Sequence, residues 1–310
     1  MNRLKVCFIG VGSIAGRHMS NLSKVCRDKG IELHMDAVRR NGGSIEGIDT
    51  VYSPDDIIPD DYDVIFITNP TSEHFNTLNR YHDNGKHFFI EKPVVSLSQI
   101  KEAEEFRLRD DAVYYVAGPL RYNAVIQYIR KYISIDDVIS VRSISSSYLP
   151  DWRPGQDYRN CYSAHKDLGG GVGIDLIHEW DYLSFLFGFP GKASAMTGKK
   201  SSLEIDSDDY AIYIAEYDKM IAELHLDYFG RKTIREVQLF TKDDTVIGDI
   251  YNNKIRYLRS GKEIDFDEER DDYQRRELEY FIDLINTAGS IDDHFHKALK
   301  VLKLTQGICN

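Results

Sequence analysis

Residues 4–22 read LKVCFIGVGSIAGRHMSNL, and no other stretch constrains the fold as tightly. A short apolar run over residues 4–9 stops at glycine, and Gly10, Gly12 and Ala15 form a G-x-G-x-x-A pattern at the head of a segment with helical spacing. The first glycine permits a tight turn from strand to helix. The second lets a pyrophosphate come close to the backbone, and the small third residue lets helix and strand pack together, with the phosphates over the helix N-terminus. The pattern alone is weak. Its place after a strand, before a helix and at the start of a βαβ alternation makes it a dinucleotide site, with Gly10, Gly12, Ser13 and Ile14 as the expected pyrophosphate cradle.

The alternation continues. ELHMDAVRR, DYDVIFITNP, HFFIEKP and AVYYVAG read as strands, separated by helical patterns such as SEHFNTLNRYHDNGK and SLSQIKEAEEFRLRD, the second with Ser96 or Ser98 as its N-cap. Strands alternating with helices of this length imply a parallel sheet covered on both faces. From about residue 119 the pattern changes. A helix, NAVIQYIRKYI, precedes a strand, DVISVRSISSSYL; a polar loop and the helix DLIHEWDYLSFLFG follow. Then come alternating segments, among them YAIYIAEY, MIAELHLDYF, REVQLFTK and KIRYLRS, and two closing helices. Period-two alternation marks an antiparallel sheet with one face less covered. The 310 residues exceed one typical core. The expected fold class is therefore α/β: a Rossmann domain over 1–118 with a doubly wound parallel sheet, then an α/β domain over 119–310 with an open, mainly antiparallel sheet.

Composition narrows the partners. A net charge of −11 repels phosphate backbones and anionic membrane surfaces, and no long basic run offsets it, so neither nucleic acid nor membrane is expected. No apolar run approaches the roughly 20 residues of a membrane span. The first strand starts at once, which leaves no room for a signal peptide and points to the cytoplasm. The 4 cysteines are scattered without C-x-x-C spacing, so no metal site is expected.

Several residues carry candidate chemistry. An Asp or Glu at the end of the second strand would grip the ribose 2′-hydroxyl of NAD; Arg39 and Arg40 stand there instead, while Asp36 falls inside the strand. Arginine suits a 2′-phosphate, which favours NADP over NAD. Glu91-Lys92-Pro93 follows a strand, at the end where parallel sheets hold ligands, and Lys92 there can hydrogen-bond a substrate hydroxyl and favour its ionised form. In GGGVGIDLIHEW, Asp175 and His178 stand three apart on a helix and share a face. Histidine titrates near neutrality and is suited to accept a hydroxyl proton as hydride leaves the same carbon. The preceding glycines are expected to let the backbone pass close to a ligand. The loop LPDWRPGQDYRNCYSAHK mixes Trp152, Tyr158 and Tyr162 with Arg153, Arg159 and Lys166, a combination suited to a sugar ring bearing an anionic group.

Taken together, GVGSIAGRHMSNL, TNPTSEH, GKHFFIEKPV, LRYN and GGGVGIDLIHEWDYLSFLFG resemble the Gfo/Idh/MocA oxidoreductases along essentially the whole chain. The motif D-x-x-H-E-x-D-Y, with HLDY later in the chain, resembles a branch found among surface-polysaccharide and nucleotide-sugar enzymes. The resemblance implies NAD(P)-dependent hydride transfer at a sugar or polyol carbon, with Lys92, Asp175 and His178 carrying the chemistry. It places Asn69, Pro70, Thr71, His74 and Glu91 around the cofactor, and Arg121, Trp152, Arg153 and Tyr158 around the substrate. It also implies a homodimer or homotetramer formed through the second sheet. Two rival readings remain open at this point. One is an enzyme that oxidises and re-reduces a nucleotide sugar with tightly held NAD. The other is a cofactor-sensing regulator without turnover.

Overall fold

The computed structural model describes residues 1–39, 42–287 and 293–309, so the expected ribose contact Arg40 lies outside the described residues. The chain forms two compact units: Met1–Ala117 with Arg270–Leu299, and Gly118–Glu269 with the described residues from Lys300 onward.

In the first unit, β1 (Arg3–Ile9) leads into α1 (Ser13–Asp28), and β2 (Glu32–Val38), β3 (Thr50–Tyr52) and β4 (Val64–Ile67) follow. Next come α2 (His74–Tyr81), β5 (His87–Ile90), α3 (Ile100–Glu104) and β6 (Tyr114–Val116). The six strands form one sheet in the order β3-β2-β1-β4-β5-β6, every pairing parallel. All four residues of β4 are buried, as its unbroken apolar run requires of a strand covered on both faces. The order reverses direction between β1 and β4, which opens a crevice at the carboxyl ends of those strands. Register makes that end level: Ile9 pairs with Ile67 and Ile67 with Ile90. The glycine turn, the Asn69 loop and the E-K-P turn therefore leave the sheet from one row. The helix expected over 96–110 is shorter, because a 3₁₀ turn capped by a Ser96–Gln99 capping box leads into α3, which ends at Glu104.

The second unit begins with α4 (Ala124–Tyr132), β7 (Val138–Tyr148), α5 (Val172–Asp175) and α6 (His178–Phe187). Seven strands follow: β8 (Lys192–Gly198), β9 (Tyr210–Glu216), β10 (Ile221–Asp227), β11 (Phe229–Thr241), β12 (Thr245–Asp249), β13 (Lys254–Tyr257) and β14 (Glu263–Asp265). They join β7 in an eight-stranded sheet of order β14-β13-β12-β11-β7-β10-β9-β8, antiparallel except for β7 beside β10. One face is the core: Val141, Tyr213, Leu224, Leu226 and Val237 are buried on it, and Trp180 of α6 meets the Tyr213 ring edge-on at 5.4 Å. On the opposite face, register brings Met196 beside Ile212 and Ile214 beside Glu223, and Met196 and Ile214 are 59% and 62% exposed.

The chain ends with α7 (Arg270–Asn286) and α8 (His294–Leu304). α7 belongs to the first unit, which departs from a single boundary near Gly118. Leu278, Phe281 and Ile282 complete the core of that unit, with Phe281 5.2 Å from Phe89, and Asp283 pairs with Lys29, the C-cap of α1. An apolar stripe shows that a helix packs; it does not show against what. Among the described residues no helix is long and apolar enough to cross a membrane.

Candidate functional site

The glycine turn is built to hold an anion. Gly10 has φ +92°, in the region that favours glycine, and a β-carbon there would sit 2.5 Å from the Asn69 Cα. Glycine thus lets β1 turn directly against the loop after β4. Gly12 is the N-cap of α1 with no side chain capping it, the first turn holds no acidic residue, and Gly12 and Ser13 are exposed. The first N–H groups of a sixteen-residue helix therefore face outward without a side-chain partner, which suits a pyrophosphate. Ala15 is fully buried beneath the turn.

A cavity of about 520 Å³ opens beside it, lined on one side by Gly10, Val11 and Asn69 and on the other by Val38, Arg39 and Arg80. Pro70 lines it too, while the 3₁₀ turn that Thr71 begins contributes Ser72 and Glu73. These groups fit a dinucleotide. Arg39 is exposed directly after β2, where the ribose would lie. Asp36 is 1% exposed and accepts a hydrogen bond from the Tyr62 hydroxyl at 2.8 Å, so it faces the strand's own packing and not the cavity.

His74 and Glu91 hold the walls from behind. His74 is buried, with its ring nitrogens 2.9 Å from the carbonyls of Asn69 and Pro93, and it staples the Asn69 loop to the E-K-P turn. Burial pushes its imidazole below the ordinary histidine range, against the opposing pull of the two carbonyls and Glu91. Each ring nitrogen thus faces a backbone carbonyl, and His74 braces the cavity wall through whichever of them carries the hydrogen. Glu91 is 8% exposed; it meets His18 at 2.5 Å through Oε1, and its Oε2 accepts the Lys92 backbone N–H at 3.1 Å. Lys92 follows β5 at the end of the sheet where Gly10 follows β1.

The second unit carries the acid and the histidine. Asp175 ends α5 and His178 begins α6, so the two do not share one uninterrupted helix. The backbone between them tightens: Ile177 N–H donates to Ile174 O and Glu179 N–H to Leu176 O, both spanning three residues. Asp175 and His178 thus flank a two-residue turn between the helices. Asp175 is 6% exposed and accepts a 2.5 Å hydrogen bond from the Tyr228 hydroxyl and another from Tyr162, whose phenol is pushed up by burial and by Asp175. His178 is half-buried. The next residues anchor the helix. Glu179, fully buried, lies 2.9 Å from Arg235 on β11, and burial raises its carboxyl above the usual range. Tyr182 shares a hydroxyl hydrogen bond with Ser143 on β7.

The Arg121 guanidinium, expected beside the substrate, makes a two-pronged pair with Asp181, at 2.9 and 2.5 Å, with about a tenth of either side chain exposed. Of the three consecutive glycines, Gly170 packs against its own loop while Gly169 is exposed with open space around it. A β-carbon on Gly170 would lie 2.2 Å from the Tyr162 carbonyl, so glycine here lets the chain pass its own preceding loop. Of the loop candidates, Trp152 donates to Ser147 and meets the Tyr228 ring edge-on at 5.2 Å, and the Arg153 guanidinium lies over the Tyr162 ring. Tyr158 sits apart, its hydroxyl accepting the Glu204 N–H. Sequence reasoning assigned no role to His18, and it named Tyr162 only as a sugar-facing aromatic and Tyr228 only as part of HLDY, not as partners of Asp175. His18 left a signal, because it falls on the stripe Ala15, His18, Met19 and Leu22, where a titratable side chain needs a buried partner.

Residues 4–117 match the family described as oxidoreductases with an NAD-binding Rossmann fold, Gfo/Idh/MocA. No curated protein matches the chain in sequence. Among solved structures, levoglucosan dehydrogenase superposes with a TM-score of 0.85 at 15% identity, over 99% of this chain and 96% of that one. Myo-inositol 2-dehydrogenase from Lactobacillus plantarum gives 0.78 at 19% identity, over 98% and 95%. UDP-N-acetylglucosamine 3-dehydrogenase from Acidithiobacillus ferrooxidans gives 0.75 at 19%, over 100% and 97%. At these identities the likeness establishes a shared fold. With the glycine turn, the reversal point and the cavity beside it, the match over residues 4–117 identifies that segment as an NAD-binding Rossmann fold of the kind described for the Gfo/Idh/MocA oxidoreductases.

Proposed function

We propose that the protein is an NAD(P)-dependent dehydrogenase or reductase acting on a CH–OH carbon of a sugar, polyol or nucleotide sugar. The observation that carries this reading is the level row at one end of the parallel sheet, which sets Lys92 beyond β5 as the glycine turn stands beyond β1. A dinucleotide held at the glycine turn by Gly10, Gly12, Ser13 and Ile14 would supply the acceptor or donor of a hydride at the substrate carbon. Lys92 donates a hydrogen bond to the reacting oxygen and offsets the negative charge that grows on it as its proton leaves. His178 takes that proton, directly or through Lys92, and returns it in the reverse direction. Asp175, fixed by the two tyrosine hydroxyls, holds a neighbouring substrate hydroxyl or the histidine. Trp152 and Tyr162 offer ring faces to a sugar, and Arg153 an anion partner.

Arg39 favours NADP over NAD, since a guanidinium pairs with a 2′-phosphate and repels nothing on it. The open sheet face with Met196, Ile212, Ile214 and Ile221 favours a second copy of the chain as its cover, giving a homodimer or homotetramer. Light scattering on Ile214→Asp tests this, and an unchanged mass would remove that face from the assembly.

Enhancement of NADH and NADPH fluorescence on binding, followed by a turnover screen with levoglucosan, myo-inositol, UDP-N-acetylglucosamine and related sugars, tests the activity. Turnover by the wild type that Lys92→Ala and His178→Ala both leave unchanged would overturn the mechanism. Dinucleotide binding without turnover of any sugar class would favour a sensing role.

A further inference from the structure

His18 lies in the glycine-turn helix and has no part in the chemistry above. It is 2% exposed, with its ring edge-on to Phe89 at 5.0 Å and 6.2 Å from Phe66. Its Nε2 lies 2.5 Å from Glu91 Oε1, and its Nδ1 is buried with no hydrogen-bond partner among the described residues. Leucine would fill the same apolar space without stranding Nδ1, so packing does not account for a histidine here. The bond to Glu91 does.

Burial alone would raise the Glu91 carboxyl, but the His18 bond and charge, the Lys92 ammonium and the Lys92 backbone N–H together hold it below the usual range. An ionised carboxylate only accepts, so His18 Nε2 carries the hydrogen. Two bonds in series then run from α1 to the reactive lysine: His18 Nε2–H to Glu91 Oε1, and Lys92 N–H to Glu91 Oε2. Another titratable group close enough to feel Glu91 is His74, which faces the carbonyls of Asn69 and Pro93.

We propose that His18 is a positioning residue for Lys92, acting through Glu91: it locks the carboxylate that holds the lysine backbone and keeps a negative charge beside the lysine ammonium. The proposal rests on the catalytic reading of Lys92 given above. Without His18, burial dominates at Glu91 and the carboxylate takes up a proton at higher pH. Lys92 then loses its charged neighbour, and its ammonium gives up a proton more readily.

The test titrates Lys92 itself, with no sugar present. Full-length protein saturated with NADH is reductively methylated with formaldehyde and cyanoborohydride from about pH 6 to 11, and the Lys92 peptide is quantified by mass spectrometry. Only the free amine reacts, so the midpoint reports lysine ionisation. His18→Leu and His18→Asn, whose amide is too short to reach Glu91, should lower the midpoint by about one pH unit. His18→Gln, which can place an N–H near the Nε2 position, should stay close to wild type. With any sugar found active, the Leu and Asn variants should lose roughly 10- to 100-fold in kcat, with KM for the dinucleotide unchanged. If His18→Leu does not fold, the contrast between Gln and Asn carries the test.

An unshifted Lys92 midpoint in the Asn variant, with Lys92→Ala inactive, would overturn the role of His18 alone. Undiminished turnover by Lys92→Ala would overturn the catalytic reading of the lysine and this proposal with it.

Discussion

Replacing Arg121 with methionine separates two roles for this residue, a substrate contact and a strut. In the structure its guanidinium makes two charged hydrogen bonds with Asp181, and about a tenth of each side chain is exposed. Methionine keeps most of the stem's bulk and removes the charge, leaving Asp181 buried without its partner. Breaking such a pair from one side costs about 3–5 kcal/mol, and the slight exposure argues for the lower end, about 3 kcal/mol. That is a large share of the 5–15 kcal/mol by which a typical domain is stable. Both tryptophans, Trp152 and Trp180, lie in the second unit, so intrinsic fluorescence during urea unfolding reads that unit. NADH binding reads the first unit and should not change. Adding Asp181→Leu should recover part of the loss, because much of the cost is the stranded carboxylate. A loss below about 1 kcal/mol, together with a raised KM for the sugar, would refute the strut and restore the pocket role.

Other expectations are as direct. Arg39→Asp should weaken NADPH binding by roughly 10- to 100-fold and NADH binding only a few-fold, as measured by fluorescence titration; equal losses would remove the 2′-phosphate argument. Gly10→Ala forces a side chain into φ +92° against the Asn69 backbone, and should cost about 2–4 kcal/mol in urea unfolding along with NADH affinity; a variant as stable as its parent would show that the turn is not held this tightly. Glu91 is held below its ordinary range, so the folded state gives up that proton more readily than the unfolded chain does. Its contribution is therefore present above the ordinary glutamate pKa and lost as pH falls through the folded value. Unfolding free energies followed from neutral pH into acid should fall less steeply in Glu91→Gln than in wild type, and parallel slopes would contradict the buried His18–Glu91 pair.

How much of the site could be read from sequence follows from how local each feature is. Gly10, Gly12 and Ala15 announced the turn because its requirements lie within a few residues: a positive φ, an open backbone and a small packing contact. The parallel sheet was legible for the same reason, since unbroken apolar runs such as Val64–Ile67 record burial on both faces. Asp36 could be placed inside its strand by counting, and Arg39 beyond the strand's end likewise.

What the sequence left open depends on which distant residue meets which. Arg121 and Asp181 are 60 positions apart, and nothing in either neighbourhood shows that the arginine's charge is already matched. Glu91 reads as a cofactor neighbour until His18, 73 positions earlier, is seen against it. The Asp175–His178 spacing is ambiguous in one dimension, because an α-helical turn and a 3₁₀ turn place the same two residues differently; in the fold α5 ends at Asp175 and α6 begins at His178, with a two-residue turn between them. α7 shows the same limit on a larger scale, its apolar stripe guaranteeing burial while only the folded core of the first unit determined where. The sequence by itself determined the turn, the strands and the kinds of chemistry available; the tertiary structure decided which charged groups stay free to act, since charge pairing and burial depend on distances that only folding sets.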